Sequence, residues 1–139
     1  MLVGAGGNAG SHSVVLVVRG LSSGSIRPPG AGTGPGTPPA SFILSQMRTA
    51  IGLSLVLCAS AGFRALLFRE EPNECLAIAL SMFSIVLVSV LVGTCLPFAL
   101  KLLGLDPAHA SAAIQVLMDI IGVSLTCLIS SVVLVNRVT

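Results

Sequence analysis

One carboxylate, Asp119, interrupts the long apolar segment SAAIQVLMDIIGVSLTCLISSVVLV near the carboxyl end of the chain. An aspartate at the centre of a membrane-spanning helix costs roughly 2.5 to 3.5 kcal/mol of insertion free energy. No lysine or arginine of the apolar segments lies at a depth suited to pairing with it. This charge must therefore be compensated by a metal cation, a proton or a second copy of the chain. Intramembrane carboxylates usually mark ion or proton pathways.

Polar and small residues line one side of the helix that this segment predicts. They recur every three or four positions, at Ser111, Gln115, Asp119, Gly122, Thr126 and Ser130. Such spacing puts side chains on one helical face. For the serines and the threonine, the pattern predicts hydrogen bonds between helices, worth about 0.6 kcal/mol each on average. For Asp119 it predicts a place in an ion pathway.

A second group of candidate residues lies in the opening segment GAGGNAGSH. Gly6 and Gly10 predict a close approach to another helix, while Asn8 and His12 lie one helical turn apart. A single histidine on such a face is more often hydrogen-bonded than bound to a metal. Glycine also exposes backbone carbonyl oxygens, and carbonyl and carboxylate oxygens are the ligands that Mg²⁺ and Ca²⁺ prefer. The donor types therefore favour a hard divalent cation over zinc or copper.

Several other classes of protein are excluded by motif and composition. An intramembrane aspartyl hydrolase needs two carboxylates on facing helices, and only Asp119 lies at depth. No G-x-S-x-G elbow is present, so we predict that the chain is not an enzyme. A formal charge of +2, with no tryptophan or tyrosine, offers nucleic acid no binding surface. The four cysteines lack paired spacing and are expected to act as small apolar residues rather than metal ligands.

Membrane-spanning helices are the elements predicted to position these residues. The chain of 139 residues is 54% hydrophobic and 9% charged, with a mean hydropathy of +1.02, far more apolar than a soluble domain. Three apolar spans, at 42–67, 76–100 and 110–135, are long enough to cross about 30 Å of hydrocarbon. We therefore predict an all-α, multi-pass integral membrane bundle with three full transmembrane helices and a partial one at the amino terminus.

The connection GLDPAHA between the last two spans allows only a tight antiparallel turn. Within it, Asp106 and Pro107 are typical of a helix N-cap followed by a first-turn proline. The last two helices must therefore be neighbours.

The chain divides into three segments. Residues 1–26 are predicted to be the latter part of a spanning helix, although glycine makes its first half a poor helix former. Residues 27–41 hold five of the eight prolines and are predicted to be a flexible, disordered linker. Residues 42–139 carry the three full spans. For the first 40 residues, which contain arginine, serine and glycine but no acid, an organellar transit peptide is the alternative.

The distribution of charge predicts the orientation in the membrane. The part of the chain before and at the start of the first full span carries Arg19, Arg27 and Arg48 with no acid. The next loop, REEPNEC, carries three glutamates against one arginine. Residues 20–41 are therefore expected in the cytosol or the equivalent organelle interior, with the carboxyl terminus outside.

Two segments resemble a known family of membrane proteins. GGNAGSHSVVLVVRGLSSGSI resembles the end of the second membrane helix of MgtE-type magnesium channels. GTCLPFALKLLGLDPAHASAAIQVLMDIIGV is similar to that family's signature from the end of the fourth helix into the fifth. The two segments cover 52 of the 139 residues, and the stretch between them has the hydropathy of the family's third and fourth helices.

The resemblance implies a passive, regulated pathway for divalent cations, built from five helices per subunit in a two-fold dimer. Asp119 matches the carboxylate that faces its dimer mate and holds a largely hydrated Mg²⁺, and Asp106 matches the acid that helps to close the pore. Asn8, Gly7 and Gly10 match the pore-side motif of the second helix, and Gln115 is a further pore-lining candidate. The implied partners are Mg²⁺, the bilayer, and a second copy or a full-length relative; no resident cofactor is implied, because the ion is cargo.

The sequence also departs from the family pattern. His12 stands where the family usually has glutamine, which makes a polar contact there sensitive to pH. Only thirteen residues separate Asp106 from Asp119, one fewer than in many members, so a local adjustment of the helix is expected near 109–113.

The family's amino-terminal domains and first membrane helix have no counterpart in this sequence. We therefore expect a fragment, a truncated form or one part of an assembly. The leading hypothesis is magnesium transport as part of an MgtE-like pore. The alternative is a non-conducting membrane protein that assembles with a full-length relative and modulates it.

Overall fold

The computed structural model describes residues 2–28, 30, 32–69 and 71–135. These residues form four α-helices: α1 (Leu2–Ser22), α2 (Pro39–Phe68), α3 (Pro72–Leu102) and α4 (Ala110–Val135). A short 3-10 turn, Pro107–His109, lies between α3 and α4. The described part of the chain contains no β-strand, so the predicted all-α class is confirmed.

The three predicted spans, 42–67, 76–100 and 110–135, all lie within observed helices. The stretches Pro39–Ala65, Pro72–Leu102 and Pro107–Val133 are long and apolar enough to cross a membrane. The structure therefore confirms three full transmembrane helices in a multi-pass integral membrane protein. The helices of the first two spans are longer than predicted, since α2 and α3 extend beyond both ends of their apolar stretches.

Helix α3 is the centre of the bundle. It packs against each of the other three helices. In its most apolar stretch 39% of residues are buried, compared with 11% in α2 and 11% in α4. The side of α3 that faces α1 and α2 is rich in small residues, and small side chains let helix backbones approach closely in a membrane. Its buried small residues are Ala77, Ser81, Ser89, Gly93 and Thr94.

Close backbone contact joins α1 to α3, as predicted for Gly6 and Gly10. A Cβ atom added to Gly10 would lie 2.5 Å from Ser89 Oγ, and one added to Gly93 would overlap the Gly10 carbonyl oxygen. The Ser89 hydroxyl donates a hydrogen bond to the Gly6 carbonyl oxygen. These contacts explain why the glycine-rich half of α1 is helical despite its low propensity: tertiary packing offsets about 1 kcal/mol of propensity cost per glycine.

The turn from α3 to α4 has the predicted antiparallel form. Gly104 adopts a positive φ of +74°. Its N–H donates to the Lys101 carbonyl (3.2 Å), and the Leu105 N–H donates to the Leu100 carbonyl (2.9 Å), which is the Schellman arrangement that ends a helix. Asp106 then caps the next element, because its Oδ1 accepts a hydrogen bond from the Ala108 N–H at 2.9 Å. The predicted N-cap is thus confirmed, although it caps the 3-10 turn that precedes α4.

The 3-10 turn supplies a local adjustment of the helix. It covers residues 107–109 and so begins before the expected region, 109–113. A 3-10 helix turns about 120° per residue instead of about 100°, so three residues add roughly 60° of rotation. This rotation contributes to the direction in which the side chains of α4 point.

The linker between α1 and α2 is closed at its base. Ile26 and Thr37 form an isolated parallel bridge, in which the Arg27 N–H donates to the Thr37 carbonyl at 3.0 Å and the Thr37 N–H donates to the Ser25 carbonyl at 2.9 Å. Ile26 is buried against Gly20. Helix α2 begins three residues before the predicted boundary at 42. The disorder predicted for 27–41 stays a prediction.

Candidate cation site

Helices α1 and α4 run antiparallel and touch through small residues. A Cβ atom added to Gly7 would lie 2.6 Å from Gln115 Nε2, so the amide of this side chain rests directly on the α1 backbone. Two turns further along α4, a Cβ atom added to Gly122 would lie 3.2 Å from a methyl group of Val3. These two contacts fix the register between the helices.

This register brings most of the predicted site residues onto neighbouring helices. Ile114 and Met118 of α4 are fully buried in the bundle. Gln115 and Asp119, the residues that follow them in the sequence, are exposed. On α1, the polar residues Asn8 and His12 are exposed as well. We call this surface the polar face; it consists of Asn8, His12, Ser111, Gln115 and Asp119.

Asp119 has no partner in the part of the chain that the structure describes. Its side chain is exposed, and no hydrogen bond or ion pair joins it to another described residue. It is the tenth residue of α4, about 15 Å along the helix at 1.5 Å per residue. This places the carboxylate near the middle of a hydrocarbon layer about 30 Å thick.

A single chain does not provide a complete metal site within the residues described. No group of three or more histidine, cysteine, aspartate or glutamate side chains comes together there. Near Asp119, only neutral amides and hydroxyls share the polar face, apart from His12. Any cation at Asp119 must therefore keep much of its water or take further oxygen ligands from another chain. Mg²⁺ suits such a site, since it sheds water reluctantly and is commonly held by one or two carboxylates.

Asp106 lies apart from Asp119, at the end of the bundle where α1 also finishes. It borders a cavity of about 220 Å³ together with Ser22 and Lys101. The thirteen residues that separate the two acids correspond to about 20 Å along the helix axis. The two carboxylates therefore belong to different levels of the protein, as the resemblance implied, while the role of Asp106 in closing a pore stays a prediction.

The glycines of the opening motif serve different contacts. Gly7 packs against α4 under Gln115, whereas Gly10 is buried against α3. Gly10 lies about 200° around α1 from Asn8, since consecutive residues turn by about 100°. Gly10 is therefore placed for packing between helices, whereas Gly7 makes room for the side chain of Gln115. Spacing alone did not reveal the contact between Gly7 and Gln115, because it joins segments more than 100 residues apart.

Among the described residues, the hydroxyl of Thr126 does not form the predicted hydrogen bond between helices, so that prediction is wrong for this residue. Its hydroxyl donates to the Gly122 carbonyl of the same helix at 2.8 Å. Ser124 likewise donates to Ile120 at 2.8 Å. A carbonyl four residues back is within reach of a hydroxyl in any helix, so no second helix is needed. Two hydrogen bonds that do cross between helices run from Cys58 of α2 to the Ala79 carbonyl and from Ser89 of α3 to the Gly6 carbonyl.

Comparison with known protein families decides what kind of protein carries this polar face. The sequence model of MgtE, described as a divalent cation transporter, matches residues 1–129. The chain belongs to the MgtE family. The match includes all of the polar face and runs through most of α4. No curated protein matches the chain.

Membership of the MgtE family implies divalent cation transport, which is a transporter's activity and not an enzyme's. A lipid-facing helix of this MgtE-family chain gains nothing from amide and carboxylate side chains.

Proposed function

We propose that this chain forms part of a passive Mg²⁺ pathway, in which Asp119 holds the hydrated ion together with the same carboxylate of a second copy or of a full-length family member. The observation that supports the proposal is the placement of Asp119: it lies at mid-depth, points out of the bundle and has no partner among the described residues. The family supplies the class of cargo.

Electrostatics favours two carboxylates around one ion. An aspartate exposed to lipid at the bilayer centre costs roughly 2.5 to 3.5 kcal/mol. Two such groups brought together without a cation repel each other, and one of them would take up a proton. A divalent cation between them balances both charges. The polar face is therefore best covered by another polar face, with the ion on the axis between the two.

The neutral members of the polar face suit a hydrated ion. Asn8 and Gln115 carry amide oxygens that accept hydrogen bonds from water, and Ser111 carries a hydroxyl that does the same. The water shell of Mg²⁺ presents hydrogen-bond donors, so acceptors of this kind bind it without stripping the shell. Gly7 sets the position of Gln115, because any side chain at Gly7 would displace the amide.

Flux measurements on the purified chain test the proposal. The chain is reconstituted into liposomes containing a Mg²⁺-sensitive dye, alone and together with an intact family member. We expect Mg²⁺ entry in the presence of a Mg²⁺ gradient and no imposed voltage. Entry with the chain alone supports a pathway formed by its own copies.

Two other outcomes have distinct meanings. In the first, Mg²⁺ enters only when the intact member is present, and Asp119→Asn in this chain abolishes the entry. This outcome supports a pathway shared between the two proteins. In the other outcome, adding the chain changes flux through the intact member, and the wild-type chain and Asp119→Asn change it equally. This outcome contradicts the proposal. That result would establish instead a non-conducting protein that modulates its relative.

A further inference from the structure

A cavity of about 400 Å³ lies where α1 ends, the linker returns and α2 begins. Its lining combines polar and apolar side chains. The polar ones include Arg19, Ser23, Ser25 and Gln46, and the apolar ones include Leu16 and Phe42. This cavity belongs to neither the polar face nor the Asp106 region. Its lining combines a positive charge with hydrocarbon, which is the combination that an amphipathic ligand requires.

Two side chains of the cavity have hydrogen-bond donors to spare. Neither Arg19 nor Gln46 forms a hydrogen bond or an ion pair with its side chain in the described part of the chain. Arginine carries five N–H donors in a planar fork, and this fork matches the oxygens of a phosphate group. Gln46 adds an amide that presents two further donors.

The carboxyl end of α1, which is the negative end of the helix dipole, is compatible with an anion at this site. Carbonyl groups at a helix carboxyl end repel negative charge when they are left unpaired. Here the Arg19 carbonyl accepts from the Ser23 N–H at 3.0 Å, and the Gly20 carbonyl accepts from the Ile26 N–H at 3.0 Å. The Ser23 and Ser25 hydroxyls also approach Gly20, each at 3.3 Å from its carbonyl oxygen.

The charges around the cavity are mainly positive. This end of the bundle carries Arg19, Arg27, Arg48 and Lys101, and its one acid is Asp106. No aspartate or glutamate occurs in residues 1–69, so none lies on α1, the linker or α2. The Arg27 guanidinium donates to the Gly34 and Gly36 carbonyls, which holds a further positive charge in the linker near the Ile26–Thr37 bridge.

The cavity also lies at the level of lipid headgroups. Gly7 lies beside Gln115, and Arg19 follows Gly7 by twelve residues, about 18 Å along α1. Asp119 lies four residues, about 6 Å, from Gln115 in the opposite direction. With Asp119 at mid-depth, Arg19 is therefore about 24 Å from the centre, outside a hydrocarbon half-layer of about 15 Å. A ligand at Arg19 and Gln46 thus lies where phosphate groups meet acyl chains.

We propose that this cavity binds a phospholipid with an anionic headgroup. Its phosphate contacts Arg19 and Gln46, and the start of an acyl chain lies against Leu16 and Phe42. The apolar lining favours a lipid over a free phosphate ion, which would leave Leu16 and Phe42 without an apolar partner. The proposal goes beyond cation transport and does not depend on it, since the binding can be measured without any flux.

Binding of defined lipids to the purified full chain tests this site. Native mass spectrometry in detergent compares retention of dioleoylphosphatidylglycerol, dioleoylphosphatidylcholine and glycerol 3-phosphate by the wild type, Arg19→Gln and Arg48→Gln. We expect the wild type to prefer phosphatidylglycerol over phosphatidylcholine. Because each arginine near an anionic surface contributes about 1 kcal/mol, we expect Arg19→Gln to lower the binding of phosphatidylglycerol about five-fold. Arg48→Gln, which removes a charge outside the cavity, should lower it less than two-fold.

Other results overturn the proposal. An equal loss in Arg19→Gln and Arg48→Gln means that the lipid responds to the general charge of this surface. Equal retention of phosphatidylcholine and phosphatidylglycerol rules out a site for an anionic headgroup. Binding of glycerol 3-phosphate as tight as that of the lipid shows a site for phosphate without acyl chains. If Arg19→Gln does not fold, Gln46→Leu replaces it, because leucine suits α2 and removes the amide; unchanged preference in that variant contradicts the site.

Discussion

Asp119→Asn is expected to lower Mg²⁺ flux at least about 100-fold, in the complete assembly that conducts. Loss of an outer-sphere partner of a metal ion alone costs roughly 10- to 100-fold in affinity or activity, and Asp119 supplies the charge itself. The substitution keeps the shape of the side chain and removes only its negative charge. Growth rescue of a Mg²⁺-dependent strain and dye-based flux into proteoliposomes both measure the effect.

The same substitution lowers the cost of inserting α4 into the membrane. An aspartate at mid-depth costs roughly 2.5 to 3.5 kcal/mol, and asparagine carries no charge. Asp119→Asn should therefore insert and accumulate at least as well as the wild type, so that a loss of flux cannot be attributed to a loss of protein. Retention of flux in well-expressed Asp119→Asn would remove the carboxylate from the pathway.

Ser124→Ala is the matched control for α4. Ser124 is exposed on the same helix, but its hydroxyl is occupied by the Ile120 carbonyl of its own backbone. We expect flux to remain within two-fold of the wild type. Together the two variants separate the requirement for a charge at one position from a general requirement for polar groups on α4.

The helices themselves were predictable because length and hydropathy are local properties of the sequence. Long apolar runs predicted α2, α3 and α4, and the Asp106–Pro107 pair predicted the cap of the turn before α4. The helical first half of α1 was harder to predict. Its glycines disfavour an isolated helix, and they are helical here because α3 and α4 pack against them.

The contacts between helices could not be read from spacing. Small residues at intervals of four predicted close packing, but not that Gly10 would meet Gly93 or that Ser89 would bond to Gly6. The hydroxyls of α4 were expected to bridge helices, whereas Thr126 bonds within its own helix. Such pairings depend on the register between segments distant in the sequence, which no local pattern specifies.

Asp119 could be singled out from the sequence as a candidate, because a charge within the membrane is costly, and its role as an ion ligand stays a prediction. The direction of its side chain could not be predicted. Which side of α4 faces outward depends on the contacts of Ile114 and Met118 with the bundle, and these became visible only in the structure. The resulting absence of a partner, within the described residues, is what makes a second chain necessary for the proposed site.

Gly93→Ala is expected to destabilise the bundle by about 1 to 3 kcal/mol, the usual cost of overpacking a core. The added methyl group would overlap the Gly10 carbonyl oxygen and lie 3.0 Å from the Gly10 Cα. Both atoms belong to the backbone, so no side chain can rotate away and α1 must separate from α3. Unfolding in mixed micelles, followed by the loss of helical circular dichroism as SDS is added, measures the change.

Gly52→Ala makes the same chemical change where nothing opposes it. Gly52 lies within α2, and a Cβ atom added there meets no atom within 4 Å. Alanine is the better helix former by about 1 kcal/mol, so this variant should be as stable as the wild type or more so. Opposite signs for the two variants would place the effect of Gly93→Ala in the contact between α1 and α3, because helix propensity favours alanine at both positions. Equal stability of the two variants would mean that α1 does not pack closely on α3. Because α1 carries Asn8 and His12 beside α4, the separation of α1 from α3 in Gly93→Ala should also reduce flux.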